Sequence, residues 1–152
     1  MKDIRLKKRI EEMVKVDQEA RTQAKNSRGL QIPNILIYTL DSSHNYWIHK
    51  IIQQYGYPTS KMVGADGMKS FWLLVQHQDF DLELQESCLK NCDFALQEQA
   101  YLTDRICVNS GKKQIYGTQF NSPIEDEKNV NEKRSKMGLS TIEEYLKGNS
   151  RT

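Results

Sequence analysis

No stretch of this 152-residue chain approaches the roughly 18–20 consecutive apolar residues of a membrane span, so no transmembrane segment is expected. Cysteine is scarce and odd in number, at three, which argues against a disulfide framework. Neither sign of charge dominates: twenty-two Lys and Arg stand against twenty Asp and Glu, for a formal charge of +2. That balance lacks the one-sided basic field that nucleic acid or an anionic membrane calls for, and neither is expected as a partner. No apolar h-region follows the N-terminus, so no secretory signal is expected and a bacterial cytoplasm is the default location. Walker, G-x-G-x-x-G, G-x-S-x-G, H-E-x-x-H and Cys-rich motifs are all missing, as is any internal repeat. No cofactor is therefore expected.

What is present has the balance of a globular protein, 38% apolar and 28% charged, in a length that fits one domain over residues 1–152. The expected ordered core runs from about 3 to 147, with a flexible tail over 148–152. From Asp3 to Asn26, Leu6, Ile10, Met13, Ala20 and Ala24 recur at helical spacing. Asp17 and Arg21 fall on or beside that apolar stripe, where a charge is costly unless partnered, so they border the core or face a polar pocket. Asn26 to Pro33 reads as loop, and Ile35 to Leu40 is too short to assign. Asp41-Ser42-Ser43 reads as an N-cap for a helix ending at Gly56, with Asn45 and His44 extending its buried face. Gly64 to Gly67 reads as a turn before a buried helix containing Phe71 to Val75, which ends in the polar run Gln76-His77-Gln78-Asp79. Asp81 caps a further predicted helix, Leu82 to about Gln97, whose Cys88 and Cys92 read as core packing. A last helix is predicted from Ser140, with Glu143 closing a capping box.

Ile106-Cys107-Val108 and Gln114-Ile115-Tyr116 are short β-leaning runs about Asn109-Ser110-Gly111-Lys112, and read as a β-hairpin. The fold class expected is therefore α+β, mainly α, with four to five helices around a central buried helix and one packed hairpin.

His77 is the first candidate for acid–base chemistry, since imidazole alone titrates near neutrality when unperturbed. Its bland alternative is a buried His satisfied at the end of a core helix. Asp104 and Arg105 supply an acid–base pair at the hairpin mouth. Arg21, Arg105, Tyr116, Thr118 and Gln119 suit binding, because Arg presents a planar fork and the others add directional hydrogen bonds. Arg105 could equally pair with Asp17 or Asp104 and tie hairpin to helix. His77, Asp79, Asp81 and Asp104 bring ligand atoms that suit zinc, manganese or iron, but their spacing matches no standard motif, and no metal site is expected.

The ordered set Asp17-Gln18 with Arg21, Asn45, Tyr55-Gly56-Tyr57-Pro58, Val63-Gly64 and Trp72 with Gln76-His77 is followed by Tyr101-Leu102, Asp104-Arg105 and Gln114. Tyr116-Gly117-Thr118-Gln119, Arg134, Gly138-Leu139 and Tyr145 complete it. In combination these residues resemble a bacterial family catalogued as domain of unknown function six-six-two-four, over about Leu6 to Leu146. The departures are Tyr57, where that family often has Trp, and a short segment between Phe120 and Pro123. The resemblance brings no established activity. It implies that Asp17, Gln18, Arg21, Asn45, Gln76, His77, Asp104, Arg105, Tyr116, Thr118 and Gln119 form the family's polar signature.

The leading expectation is a polar pocket walled by the first helix, the His77 helix end and the hairpin, binding a small anionic or polar ligand. In that pocket Asp17, Gln18, Arg21, Asn45, Gln76, Tyr116, Thr118 and Gln119 are the binding residues. The alternatives are a small hydrolase or transferase, with His77 as general base, Asp104 orienting it and Arg105 stabilising negative charge, and a protein-interaction module of the effector or immunity type.

Overall fold

The computed structural model describes residues 3–27 and 32–149. They form α1 (Ile4–Asn26), α2 (Ile32–Tyr55), α3 (Ser60–Gln76), α4 (Leu82–Asn91), α5 (Leu96–Asn109), a 3-10 turn (Glu127–Asn129), α6 (Val130–Lys136) and α7 (Ile142–Asn149). The chain divides into two compact units at the Phe94–Ala95 junction. No helix among the described residues is long and apolar enough to cross a membrane.

In the first unit α1 follows its predicted span, opened by the Asp3 carboxylate accepting from Leu6 N at 2.9 Å. Its stripe buries Leu6 and Ile10 completely, and Asp17 at the next core position. α1 packs on both α2 and α3, around Ile48, Ile51, Met68, Phe71, Leu74 and Val75. Gly64 breaks α3 with φ +77, a value that glycine adopts freely, so the predicted turn survives as a kink inside the helix.

The helix expected to start at Asp41 instead runs unbroken from Ile32. The expected loop over Asn26 to Pro33 lies partly outside the described residues, at 28–31, and ends where α2 begins. Thr39 and Ser42 donate their hydroxyls to the carbonyls of Ile35 and Tyr38, four residues back, which lets both residues sit in a helix interior. Asp41 is thus freed from capping. The single helix predicted over Leu82 to Gln97 divides in two. Asp93 leaves the helical path to accept from the Ser60 amide at 2.7 Å, capping α3, and Glu98 accepts from Ala95 N at 3.0 Å as α5 begins.

The expected β-hairpin is absent, and among the described residues there is no β-strand: the fold is all-helical, not α+β. Ile106, Cys107 and Val108 form the last turns of α5, and Gln114 makes only an isolated parallel bridge to Ile124. The misreading has a physical cause. Ala100, Leu102, Asp104 and Ile106 are all buried, a period-two pattern that mimics a strand. On a helix at about 100° per residue, Ala100 and Asp104 share one face while Leu102 and Ile106 share the opposite one. Helix α5 is buried on two sides.

The loop after α5 is built on buried polar groups. Asp104, fully buried, accepts from the amides of Ile115 (2.7 Å), Tyr116 (2.9 Å) and Thr118 (2.9 Å), and from the Thr118 hydroxyl (2.9 Å). Gln114 donates to the carbonyls of Gln119 and Ser122 and accepts from Gln119 N. Gly117 sits between them with φ +71, where a Cβ would lie 2.7 Å from Ile142 Cδ1. Arg134, 1% exposed, donates to the Tyr116 and Ser140 carbonyls and lies 4.9 Å from the Tyr145 ring centre. Burial, then a hydrogen bond with Tyr101, pushes the Tyr145 phenol up to about 12, and its hydroxyl donates to Thr118 O at 3.0 Å. The cap of α7 falls one residue later than predicted, on Thr141 with Glu144. Of the expected flexible tail, Gly148 and Asn149 lie in α7, and 150–152 lie outside the described residues.

Candidate functional site

Helical spacing explains how α1 delivers a carboxylate to the interior. Asp17 follows Ile10 and Met13 on the buried stripe, and Arg21, one turn later, reaches back to it. Asp17 is 1% exposed and accepts from Gln18 Nε2 (2.7 Å) and Arg21 Nε (3.0 Å). His77, the C-cap residue that follows α3, brings its Nδ1 to 3.1 Å from Asp17 Oδ2. Arg21 Nη2 pairs with Asp41 on α2, so one guanidinium bridges two carboxylates from different helices.

The proton positions follow from acceptor strength. Arg21 Nε also lies 3.1 Å from His77 Nδ1, but its single hydrogen is better directed to the carboxylate. His77 Nδ1–H then donates to Asp17, which leaves Nε2 as the ring nitrogen not engaged by the carboxylate. Burial works to raise the Asp17 carboxyl, but the His77 hydrogen bond, the charges of His77 and Arg21, and the Gln18 hydrogen bond outweigh it and hold the group below its ordinary value. Asp41 goes the other way: burial raises it, and the Arg21 hydrogen bond and charge offset this only in part.

Asp17, Asp41 and His77 could each turn one ligand atom towards a common cation, the three atoms lying within 4.8 Å of one another. The Arg21 guanidinium already stands between the two carboxylates as their counter-charge, so a metal ion would have to displace it.

The predicted site residues thus fall into separate groups. Asp17, Gln18, Arg21 and His77 meet in the first unit. Asn45 lies elsewhere in that unit, donating to Asp81 at 2.8 Å beside His49 and so fixing the carboxylate that caps α4. Gln76 ends α3, its carbonyl accepting from Gln85. Asp104, Tyr116, Thr118 and Gln119 meet in the second unit, where their hydrogen bonds build the loop over 114–119, and Arg105 follows Asp104 on α5.

The profile of one family, DUF6624, a family of unknown function, matches residues 4–150. The chain belongs to this family. DUF6624 carries no assigned activity, and neither a curated protein nor a solved structure matches the chain. In this DUF6624 chain, sequence reasoning missed Asp41 as a partner of Arg21. Its spacing from Asn45 and Ile48 on one helical face was the available signal, masked by reading Asp41 as a cap. Gln85 was missed as well; it is fully buried, donating to the Val75 carbonyl at 3.1 Å.

Proposed function

We propose that the Asp17–Arg21–Asp41–His77 cluster is a polar ligand site in which His77 is the acid–base group. The observation that carries this reading is the buried Asp17 carboxylate 3.1 Å from His77 Nδ1, which fixes the ring and leaves Nε2 as the basic nitrogen. His77 is 14% exposed, closed enough to lower the local dielectric and open enough to be reached. Two carboxylates face the one Arg21 guanidinium, so a neutral polar or cationic ligand fits the site better than an anion. Hydrolysis or group transfer with His77 as general base is the chemistry this supports, Asp17 taking the orienting role that the sequence had assigned to Asp104.

The test uses p-nitrophenyl acetate as a generic acyl probe together with the ring ¹⁵N spectrum. Histidines 44, 49 and 77 are the three in the chain. His77 is expected in the Nδ1–H form, and His77→Gln is expected to slow turnover of the probe at least tenfold. Equal rates in the two proteins, or a His77 ring protonated on Nε2 alone, would overturn the reading.

One observation favours a second reading, an interaction module. Ile35, Leu36 and Tyr38 on α2 are 62%, 61% and 67% exposed, and Tyr38 packs on the half-exposed Phe80 ring at 6.2 Å. Helix surface that is apolar and exposed calls for a partner. Residues Ile35 to Leu40 carry no charge, so a second copy of the chain can lie against them without like-charge repulsion. Sedimentation is expected to show a concentration-dependent dimer that Leu36→Glu returns to monomer. A wild-type chain that stays monomeric at its solubility limit would exclude this mode.

A further inference from the structure

Three side chains carried by α1, α2 and the C-cap of α3 converge on one point of the first unit. They are Asp17, Asp41 and His77, and one ligand atom of each lies within 4.8 Å of the other two. Donors bound at about 2.0–2.1 Å to one zinc ion stand roughly 3.3 Å apart around a tetrahedron. His77 Nδ1 and Asp17 Oδ2 are already 3.1 Å apart. The Arg21 guanidinium touches all three residues. Its Nε lies 3.0 Å from Asp17 Oδ1 and 3.1 Å from His77 Nδ1, and its Nη2 donates to Asp41. A cationic group is thus held at the centre of the three donors, and it offsets only one of the two carboxylate charges.

We infer that Asp17, Asp41 and His77 bind a divalent transition-metal ion of the zinc class, which takes the place of the Arg21 guanidinium. One imidazole nitrogen with two carboxylate oxygens suits zinc, manganese or iron(II), whereas magnesium and calcium favour oxygen alone. Arg21 is 28% exposed and has a long flexible stem, so its head can turn out to water as the ion enters. The ion brings two positive charges where the guanidinium brings one, and so answers both carboxylates. Binding at Nδ1 uses the lone pair of that nitrogen, which puts the ring hydrogen of metal-bound His77 on Nε2. The metal and a basic Nε2 therefore exclude each other. The inference rests on the cluster being a ligand site, as proposed above, and not on His77 acting as a base.

The full-length chain, freed of metal with EDTA, is titrated with zinc chloride by calorimetry, with magnesium chloride as the control. Zinc is expected to bind one to one, about a hundredfold or more tighter than magnesium. The His77 ring hydrogen should move from Nδ1 to Nε2 in the ¹⁵N spectrum as zinc is added. Asp41→Asn and His77→Gln are each expected to weaken zinc about tenfold or more. Arg21→Gln, which removes the competing cation, should bind zinc as tightly as wild type or tighter. His49→Gln, which removes the exposed His49–Asp81 pair, should bind it unchanged. Absence of saturable zinc binding, or zinc bound without the move of the ring hydrogen, would overturn the inference. So would full affinity in Asp41→Asn or His77→Gln, and loss of affinity in Arg21→Gln or His49→Gln. If a ligand variant does not fold, the wild-type ring spectrum and Arg21→Gln decide. Zinc binding without His77-dependent turnover of the acyl probe sinks the base role alone; turnover without zinc binding sinks this inference alone.

Discussion

Asp104→Ala is expected to cost about 4 kcal/mol, the loss of one buried acceptor that holds several donors at once. The amides of Ile115, Tyr116 and Thr118 and the Thr118 hydroxyl all converge on this carboxylate. Removing it orphans donors in a loop that has no sheet or helix ladder of its own. Asp104→Asn keeps the shape and one acceptor but turns an N–H₂ towards a donor, and is expected to cost about half as much. Both tryptophans, Trp47 and Trp72, belong to the first unit, so their fluorescence is a poor reporter of this loss. Amide exchange at Ile115, Tyr116 and Thr118 reads it directly and should accelerate by orders of magnitude in the Ala variant. Protection unchanged at those amides would mean that the loop is held by Gln114 and Arg134 without Asp104.

Asp17→Asn is expected to cost about 3 kcal/mol at neutral pH, because it leaves Arg21 and His77 facing a neutral amide in a buried setting. The pH dependence carries the sign. The folded pKa of Asp17 lies below its ordinary 3.8, so the stabilisation is fully present above that value and is lost as pH falls through the lowered one. Asp41, raised by burial, works in reverse: its contribution is present when protonated and fades as pH rises through its folded pKa. The gap between wild type and Asp17→Asn in urea unfolding should therefore hold from pH 7 down to about 4 and close as pH falls further. A gap that stays constant across that range would assign the loss to packing rather than to charge.

The two carboxylates show why part of the site was legible and part was not. Asp17 betrayed itself, because periodicity alone puts it on the apolar face of α1, where an unpaired charge is costly. That His77, sixty residues on, would share a pocket with it was expected from the sequence, but that its Nδ1 would bond this carboxylate directly was not written in either segment. The end of one helix had to pack beside the middle of another. Asp41 was hidden for a different reason. Asp-Ser-Ser is good capping chemistry, and only the continuity of α2 shows that the Ser42 hydroxyl bonds to the carbonyl four residues back instead.

Helix α5 draws the same line through the second unit. Local pattern decided the long helix α1 and the end of α2 at Gly56, and put Asp17 on or beside the apolar stripe, because each depends on one element having one buried face. It misread Ile106-Cys107-Val108, because these β-leaning residues close a helix buried on two opposite faces, where burial repeats every second residue as in a strand. Packing on both sides decided that stretch. It also decided that Asp104, Tyr116, Thr118 and Gln119 would spend their polar groups on one another in a loop, while Asp17, Arg21, Asp41 and His77 would share theirs across three helices. A residue's period reports its own face; which donor meets which carboxylate is set by the neighbours that tertiary contact supplies.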